Sequence, residues 1–122
     1  MSAKILLVDD SALARRSVRQ MLEGAGHEVA EAEDGLIALE RYFLEKPDLV
    51  ILDLVMNGMM GLDVLQKLHE MDPKVRAIVV SADIQHSSRE LAVAGGARDF
   101  LNKPVDRDSL LKAVAAVLEA SA

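Results

Sequence analysis

Residues 49–61, LVILDLVMNGMMG, decide the fold of this chain. The first four residues are branched and apolar at every position, which is typical of a strand buried on both faces of a parallel sheet. The run ends at Asp53, and Gly58 and Gly61 then favour a loop before the next amphipathic stretch. The pattern therefore predicts a central strand whose carboxyl end carries a carboxylate.

The same alternation of strand and helix extends outward in both directions. Apolar or alternating runs predict strands at about residues 5–8, 27–32, 49–52, 75–80 and 98–101. Helical spacing predicts helices marked by residues 14–25, 36–43, 64–71, 84–94 and 110–118. In the second of these helices, Leu36, Leu39 and Phe43 recur at i, i+3 and i+7. Five strand–helix units in succession favour parallel strands joined by right-handed crossovers.

The composition of the strands predicts their order in the sheet. The first, third and fourth strands are apolar on both faces and are expected in the centre of the sheet. The second and fifth carry polar residues and are expected at its edges. The order 2-1-3-4-5 meets these conditions and reverses the direction of the sheet between strands 1 and 3.

Length, charge and composition exclude several functional classes. A chain of 122 residues is expected to form one domain over residues 1–122, without an output domain. The net charge of −6 and the three aromatic residues disfavour direct binding of nucleic acid, which uses basic residues and stacking rings. The absence of cysteine excludes thiol catalysis and Cys-based zinc sites. No targeting or membrane-spanning segment is visible, so a cytoplasmic protein without membrane contact is expected.

Polar side chains follow four of the predicted strands, at the edge where open parallel sheets bind ligands. They are Asp9 and Asp10 after strand 1, Asp53 after strand 3, Ser81 after strand 4 and Lys103 after strand 5. Because strands 1 and 3 are expected to lie about 4.8 Å apart, the three carboxylates would repel one another unless a cation or a proton intervened. An all-oxygen ligand set favours Mg²⁺ over Zn²⁺.

These residue types suit a phosphoryl group. An ionised carboxylate such as Asp53 can attack phosphorus and form an acyl phosphate. The oxygens of the transferred group then need positive and hydrogen-bonding partners. Lys103 offers a positive charge, Ser81 offers a hydroxyl donor, and Mg²⁺ would supply the remaining charge.

The motifs at these strand ends together resemble one known family. VDD at residues 8–10, LVILDLVMNGMMG at 49–61, VVSAD at 79–83 and DFLNKP at 99–104 resemble the receiver domain of bacterial two-component response regulators, in its stand-alone, CheY-like form. The resemblance covers the whole chain. It implies an α/β fold, a flavodoxin-like, doubly wound (βα)5 sandwich, and the strand order chosen above also draws on that known example.

The resemblance implies a phosphorelay function. Asp53 is the expected phosphoacceptor, which takes phosphate from the phosphohistidine of a sensor histidine kinase or of a histidine phosphotransfer protein. Asp9, Asp10, Asp53 and the backbone carbonyl of Val55 are expected to hold Mg²⁺, or Mn²⁺ in its place.

The resemblance also implies a switch. Ser81 and Lys103 are expected to bind the phosphoryl oxygens, and Phe100 matches the switch aromatic that turns inward when the Ser81 hydroxyl moves toward the phosphate. The surface of the fourth helix, fifth strand and fifth helix is then expected to change for binding a downstream protein. The bond before Pro104 is expected to be cis, and the chain is expected to be a monomer that could dimerise on activation.

The sequence departs from the family pattern at a few positions. Asn57 stands where a proline usually follows the loop methionine, and Phe100 replaces the tyrosine of many members. Val55 and Asp83 occupy the two variable positions that tune hydrolysis of the acyl phosphate in the family. An apolar Val55 cannot orient a water molecule, whereas Asp83 could, so the lifetime of the phosphate is not set by the sequence.

Ordinary structural roles remain open for several of these residues. Asp9 and Asp10 could cap a helix, and Phe100 could be a core residue on an edge strand. The methionines of the loop after strand 3 are interpreted as packing or surface residues around the loop rather than a metal site; they are Met56, Met59 and Met60. The basic residues of the first helix are interpreted as mostly solvated charges; they are Arg15, Arg16 and Arg19.

Two other functions compete with a signalling switch. A Mg²⁺ phosphohydrolase of the haloacid-dehalogenase type also uses an aspartyl nucleophile, but it needs a second acid where Val55 stands and a cap domain for which 122 residues leave no room. A flavodoxin-like FMN carrier needs a hydroxyl-rich phosphate loop after strand 1 and rings around the flavin, which the sequence lacks. The resemblance instead implies a protein that catalyses its own aspartyl phosphorylation and dephosphorylation and is not a turnover enzyme.

Overall fold

Five strands and five helices alternate along the chain in the computed structural model, which describes residues 2–56, 58–82 and 86–120, and only the backbone of residues 86–88. The strands are β1 (Lys4–Val8), β2 (Glu28–Ala32), β3 (Leu49–Asp53), β4 (Ala77–Ser81) and β5 (Asp99–Asn102). The helices are α1 (Ala12–Gly24), α2 (Gly35–Glu45), α3 (Gly61–Met71), α4 (His86–Ala94) and α5 (Arg107–Glu119). The predicted alternation of strand and helix is confirmed.

The strands form one parallel sheet in the order β2-β1-β3-β4-β5, as predicted. β3 and β4 are buried at every position, whereas β2 and β5 at the two edges are partly exposed. The register pairs Val8 with Leu52, so the residues that follow them, Asp9 and Asp53, leave the sheet at the same level. The topology thus brings the ends of β1 and β3 side by side.

Two separate apolar layers cover the two faces of the sheet. Val50 and Leu52 of β3 point into a layer shared with α2, α3 and α4. Leu49 and Ile51 point into the opposite layer, shared with α1 and α5. Because successive strand residues face opposite sides, the unbroken apolar run of β3 is what a doubly covered strand requires. No helix within the described ranges is long and apolar enough to cross a membrane.

The spacing of Leu36, Leu39 and Phe43 locates α2 correctly, but of the three only Leu39 packs against the core. Leu36 and Phe43 are each 70% exposed. The helix buries the small residues Gly35 and Ala38 instead, and a side chain added at Gly35 would lie 2.8 Å from the Cβ of Met59. Ile37, Leu39 and Tyr42 pack against the core as partly buried residues.

Candidate functional site

The predicted site residues meet at the carboxyl end of the sheet. Asp9 directly follows β1, Asp53 is the last residue of β3, and Ser81 is the last residue of β4. Lys103 directly follows β5, and its main-chain N–H donates to the carbonyl of Ser81 at 2.9 Å. Side chains distant in sequence therefore converge because four parallel strands end at one edge.

Three carboxylates form a cluster that fits a divalent cation. Asp9, Asp10 and Asp53 each offer an oxygen, and these oxygens lie within 4.8 Å of one another. Asp9 is 4% exposed and Asp53 is 7% exposed, whereas Asp10 is half-buried. An all-oxygen donor set of this kind suits Mg²⁺ or Mn²⁺, which prefer carboxylate and carbonyl ligands. The residues present thus agree with a metal site, although they do not select one ion.

Lys103 bridges two of these carboxylates. Its Nζ donates to Asp9 Oδ2 at 2.8 Å and to Asp53 Oδ2 at 3.3 Å. Burial lowers the pKa of Lys103, but the hydrogen bond to Asp9 and the charge of Asp53 outweigh it, and the pKa lies above its usual value. The ammonium therefore remains charged and acts as the counter-ion of the cluster.

The pKa of the Asp53 carboxyl is raised above its ordinary value. Burial is the main cause; the charge of Lys103 acts in the opposite direction, and the charge of Asp9 raises the pKa again. The ionised form of Asp53 is thus less favourable in the folded protein than in water. An added cation would relieve this cost, which is a physical reason for the site to bind one.

Asp9 is held at each of its polar atoms. Its Oδ1 accepts from the Ser11 N–H at 2.8 Å, and its Oδ2 accepts from Lys103. Its main-chain N–H donates to the carbonyl of Ala32 at 3.1 Å, and its own carbonyl accepts from Arg15 Nη1 at 2.5 Å. This carboxylate is therefore fixed in position before any ligand arrives.

Arg15 corrects the interpretation of the first helix. Sequence reasoning grouped Arg15 with solvated charges, yet its side chain is 15% exposed and contacts both Asp9 and Glu31. The interpretation failed because it considered only the outer face of α1 and not the polar end of the neighbouring strand β2. The sequence did contain a signal for this pairing, namely a basic residue one turn into α1 and an acid on the neighbouring strand β2.

The other residues singled out by the sequence have separate environments. The N–H of Val55 donates to Asp53 Oδ1 at 3.4 Å, and the Val55 side chain is exposed. Phe100 is buried in the layer that contains Ala92 of α4, and the Lys103–Pro104 peptide bond is cis. Asn57 and Asp83 lie outside the described residues.

The loop methionines differ in environment. Met56 is buried in the layer that contains α2 and α3, and Met59 packs against the same layer. Met60 is exposed and immediately precedes α3. The burial of the first two supports the packing interpretation for them.

Replacing Asp53 by asparagine is expected to stabilise the metal-free protein at neutral pH. A pKa raised by folding contributes stability below the unfolded pKa, and this contribution is lost as the pH rises through the folded pKa. Since asparagine has nearly the same shape and no charge, D53N should unfold with a free energy on the order of 1 kcal/mol higher at about pH 7. The difference should shrink toward about pH 4, and urea titration followed by circular dichroism measures it.

The control for this prediction is E40Q, which removes an exposed carboxylate from α2. E40Q should not share the pH dependence seen in D53N. A D53N protein that is less stable than the wild type at neutral pH without metal would contradict the prediction.

Comparison with known proteins places this site in a family. The family model of the response regulator receiver domain matches residues 5–115. The chemotaxis protein CheY of Bacillus subtilis is 40% identical over 115 residues, which cover 93% of this chain and 96% of that protein. The protein PilH of Pseudomonas aeruginosa is 41% identical over 121 residues, which cover 95% and 98%.

Solved structures agree with the sequence relatives. A CheY-like receiver domain protein from Methanospirillum hungatei has a TM-score of 0.93 at 27% identity, covering 99% of this chain and 97% of that chain. A chain of the CheX–CheY–BeF3–Mg²⁺ complex from Borrelia burgdorferi has a TM-score of 0.90 at 31% identity, covering 93% and 87%. The fold, the match over residues 5–115 and the relatives above 30% identity show that this chain belongs to the response regulator receiver domain family.

Proposed function

We propose that this chain is the phosphoacceptor of a two-component phosphorelay, in which Asp53 takes a phosphoryl group from a phosphohistidine. The donor would be a sensor histidine kinase or a histidine phosphotransfer protein. The observation that carries the proposal is the position of Lys103 Nζ, 2.8 Å from Asp9 and 3.3 Å from Asp53, beside three clustered carboxylates. The Lys103 ammonium and a carboxylate cluster suited to a metal ion surround the buried Asp53 carboxylate. Together they would provide the charge stabilisation that phosphoryl transfer needs.

Each residue at the site has a separate role in the proposed step. An Asp53 carboxylate oxygen forms a bond to phosphorus while the P–N bond to the donor imidazole breaks, and the nitrogen keeps the electron pair. Lys103 moves its hydrogen bond from Asp53 to an oxygen of the transferred group, and the Ser81 hydroxyl donates to another oxygen.

The carboxylates would hold the metal at the side of Asp53. Asp9, Asp10 and Asp53, with the carbonyl of Val55, would bind Mg²⁺ or Mn²⁺, which supplies positive charge to the phosphoryl oxygens when bound. Ser11 and Lys103 already orient the Asp9 carboxylate for this role.

The proposed output is a change of the surface formed by α4, β5 and α5. Ser81 is completely buried at the end of β4, and its main chain bonds to Lys103, next to the strand that carries Phe100. Phe100 shares a buried layer with Ala92 of α4, so a movement at Ser81 could reach that helix through packed groups. A shift from 1:99 to 99:1 needs about 5.5 kcal/mol of differential stabilisation, which a bound acyl phosphate could approach.

The relatives support a protein partner downstream. CheY in the Borrelia burgdorferi complex is bound to CheX together with BeF3 and Mg²⁺. By analogy, this chain would bind a downstream protein. We also propose that it acts as a cytoplasmic monomer, or as a dimer after activation. Its excess of acidic residues disfavours nucleic acid as the direct target.

We propose that the phosphodonor docks in a groove beside Lys103. It has a volume of about 360 Å³ and is lined mainly by small and apolar groups of α1 and of the segment after β5. The lining residues are Ala14, Ser17, Val18, Ala82, Lys103, Pro104 and Val105. Because Lys103 is shared by the groove and the carboxylate cluster, a donor seated there would present its phosphate near Asp53.

Val55 favours a switch over a turnover phosphohydrolase. The position two residues after Asp53 carries an apolar side chain that is 57% exposed, where an aspartyl phosphohydrolase would place a second acid. The carboxylates near Asp53 are engaged by Lys103 or placed for a cation. The site is therefore proposed to serve a phosphorylation signal rather than the repeated hydrolysis of phosphate esters.

The proposal is tested by incubating the protein with acetyl phosphate and Mg²⁺ and measuring the intact mass. We expect one phosphate per chain in the wild type and none in D53N, because the amide is not a nucleophile toward phosphorus. D63N, which removes an exposed carboxylate at the start of α3, should be labelled like the wild type. Chelation of the metal should abolish labelling, and equal labelling of D53N would refute the assignment.

A further inference from the structure

The Arg15 guanidinium reaches from α1 to the main chain at the end of β1. Its Nη1 donates to the carbonyl of Asp9 at 2.5 Å, and its Nε donates to Glu31 Oε1 at 2.9 Å. The contact with Asp9 is separate from the two that fix the Asp9 carboxylate, which come from Ser11 and Lys103. Arg15 therefore holds the backbone of Asp9 and not its side chain.

The carbonyl of Asp9 belongs to the peptide group that leads into Asp10. A peptide group is planar, so the direction of the Asp9 carbonyl also fixes the direction of the Asp10 N–H and the position of the Asp10 Cα. The Asp10 carboxylate supplies one of the three oxygens of the cluster that could hold a cation. A residue that orients this peptide group thereby fixes the position of the Asp10 Cα, from which the side chain of this proposed metal ligand extends.

Glu31 holds Arg15 in place and balances its charge. Its carboxylate accepts from both Arg15 and Arg19, and Arg19 also pairs with Glu23. Burial acts to raise the pKa of Glu31, but the hydrogen bonds from Arg19 and Arg15 outweigh it and lower the pKa. Since Glu31 is then ionised at neutral pH, Arg15 can bond to the carbonyl without adding an uncompensated positive charge beside a cation site.

From these contacts we infer that Arg15 is a positioning residue for the metal site, acting through the Asp9–Asp10 peptide group and supported by Glu31. The inference rests on the proposed function, because it assumes that Asp10 is a metal ligand. A residue with this role controls the affinity for Mg²⁺. It leaves the transfer step unchanged once the site is saturated with metal.

The test measures Mg²⁺ binding by calorimetry in the absence of any phosphodonor. R15Q should weaken the affinity for Mg²⁺ by about 10-fold, the lower end of what loss of a partner behind a metal ligand costs. E31Q should weaken the affinity less than R15Q does. Arg15 then keeps its bond to the Asp9 carbonyl but loses its charged partner on β2. R16Q removes the same charge from an exposed position of the same helix and should leave the affinity unchanged.

Two further measurements separate positioning from general stabilisation. In metal-free protein, the NMR amide resonance of Asp10 should shift in R15Q and stay in place in R16Q. The rate of labelling by acetyl phosphate should return to the wild-type value in R15Q at saturating Mg²⁺. R15K, which keeps the charge but not the two-pronged geometry, should resemble R15Q rather than the wild type.

Several outcomes would overturn the inference. They are an affinity for Mg²⁺ that is the same in R15Q as in R16Q, a wild-type affinity and labelling rate in R15K, or a slower labelling of R15Q that saturating Mg²⁺ does not correct. A lower unfolding temperature with unchanged affinity would assign Arg15 a structural role alone. If R15Q does not fold, R15K and E31Q decide the question by the same criteria. Failure of the proposed function is distinguishable, since the wild type itself would then neither bind Mg²⁺ nor be labelled.

Discussion

Lys103→Met is expected to lower the rate of Asp53 labelling by roughly 10²–10³-fold, the usual cost of removing one fixed donor from a developing anionic centre. Lys103 Nζ is within hydrogen-bonding distance of both Asp9 and Asp53, so it already lies where the transferred oxygens would be stabilised. The variant should also destabilise the metal-free protein by about 2 kcal/mol, because two buried carboxylates lose a charged partner. Labelling with acetyl phosphate and urea titration measure the two effects.

The two effects of K103M should respond differently to Mg²⁺. Added Mg²⁺ should restore stability, since a cation at the cluster replaces the lost positive charge, but it should not restore the labelling rate. K112M, which removes an exposed lysine from α5, should change neither quantity. A K103M protein labelled as fast as the wild type would show that Lys103 serves only as a counter-ion.

The strand ends of this site were predictable from sequence because they depend on topology. An apolar run such as residues 49–52 predicts a doubly covered strand, and parallel strands end at one edge. The meeting of Asp9, Asp53, Ser81 and Lys103 then follows from the parallel arrangement of the strands, whose predicted order also drew on the family resemblance. The roles assigned to them in phosphoryl transfer and switching remain predictions.

The details that sequence reasoning missed depend on packing between elements. The apolar spacing of α2 does not show which of its residues face the core: Leu39 packs against it, whereas Leu36 and Phe43 are exposed. Arg15 was misread for the same reason. Its partners, the Asp9 carbonyl and Glu31, belong to other elements, and no local pattern specifies how far a guanidinium reaches.

Gly61→Ala is expected to destabilise the protein by about 3 kcal/mol or more. A Cβ at this position would lie 2.4 Å from the carbonyl oxygen of Asp53 and 2.7 Å from the Cα of Leu54. Both are main-chain atoms, so no side-chain rotation removes the overlap. α3 cannot easily move away either, because Val64 and Leu65 are completely buried in the core.

The same overlap should impair the site as well as the fold. The atoms that must yield belong to Asp53, the proposed phosphoacceptor, and to the residue after it, so G61A should bind Mg²⁺ more weakly even where it remains folded. G24A is the matched control, since its nearest atom would be Arg107 Nη2 at 3.9 Å. It should be neutral or more stable by up to about 1 kcal/mol, because alanine is the better helix former. A G61A protein as stable as the wild type and with the same affinity for Mg²⁺ would contradict this prediction. The backbone after β3 would then have to move far more easily than its contacts with α3 imply.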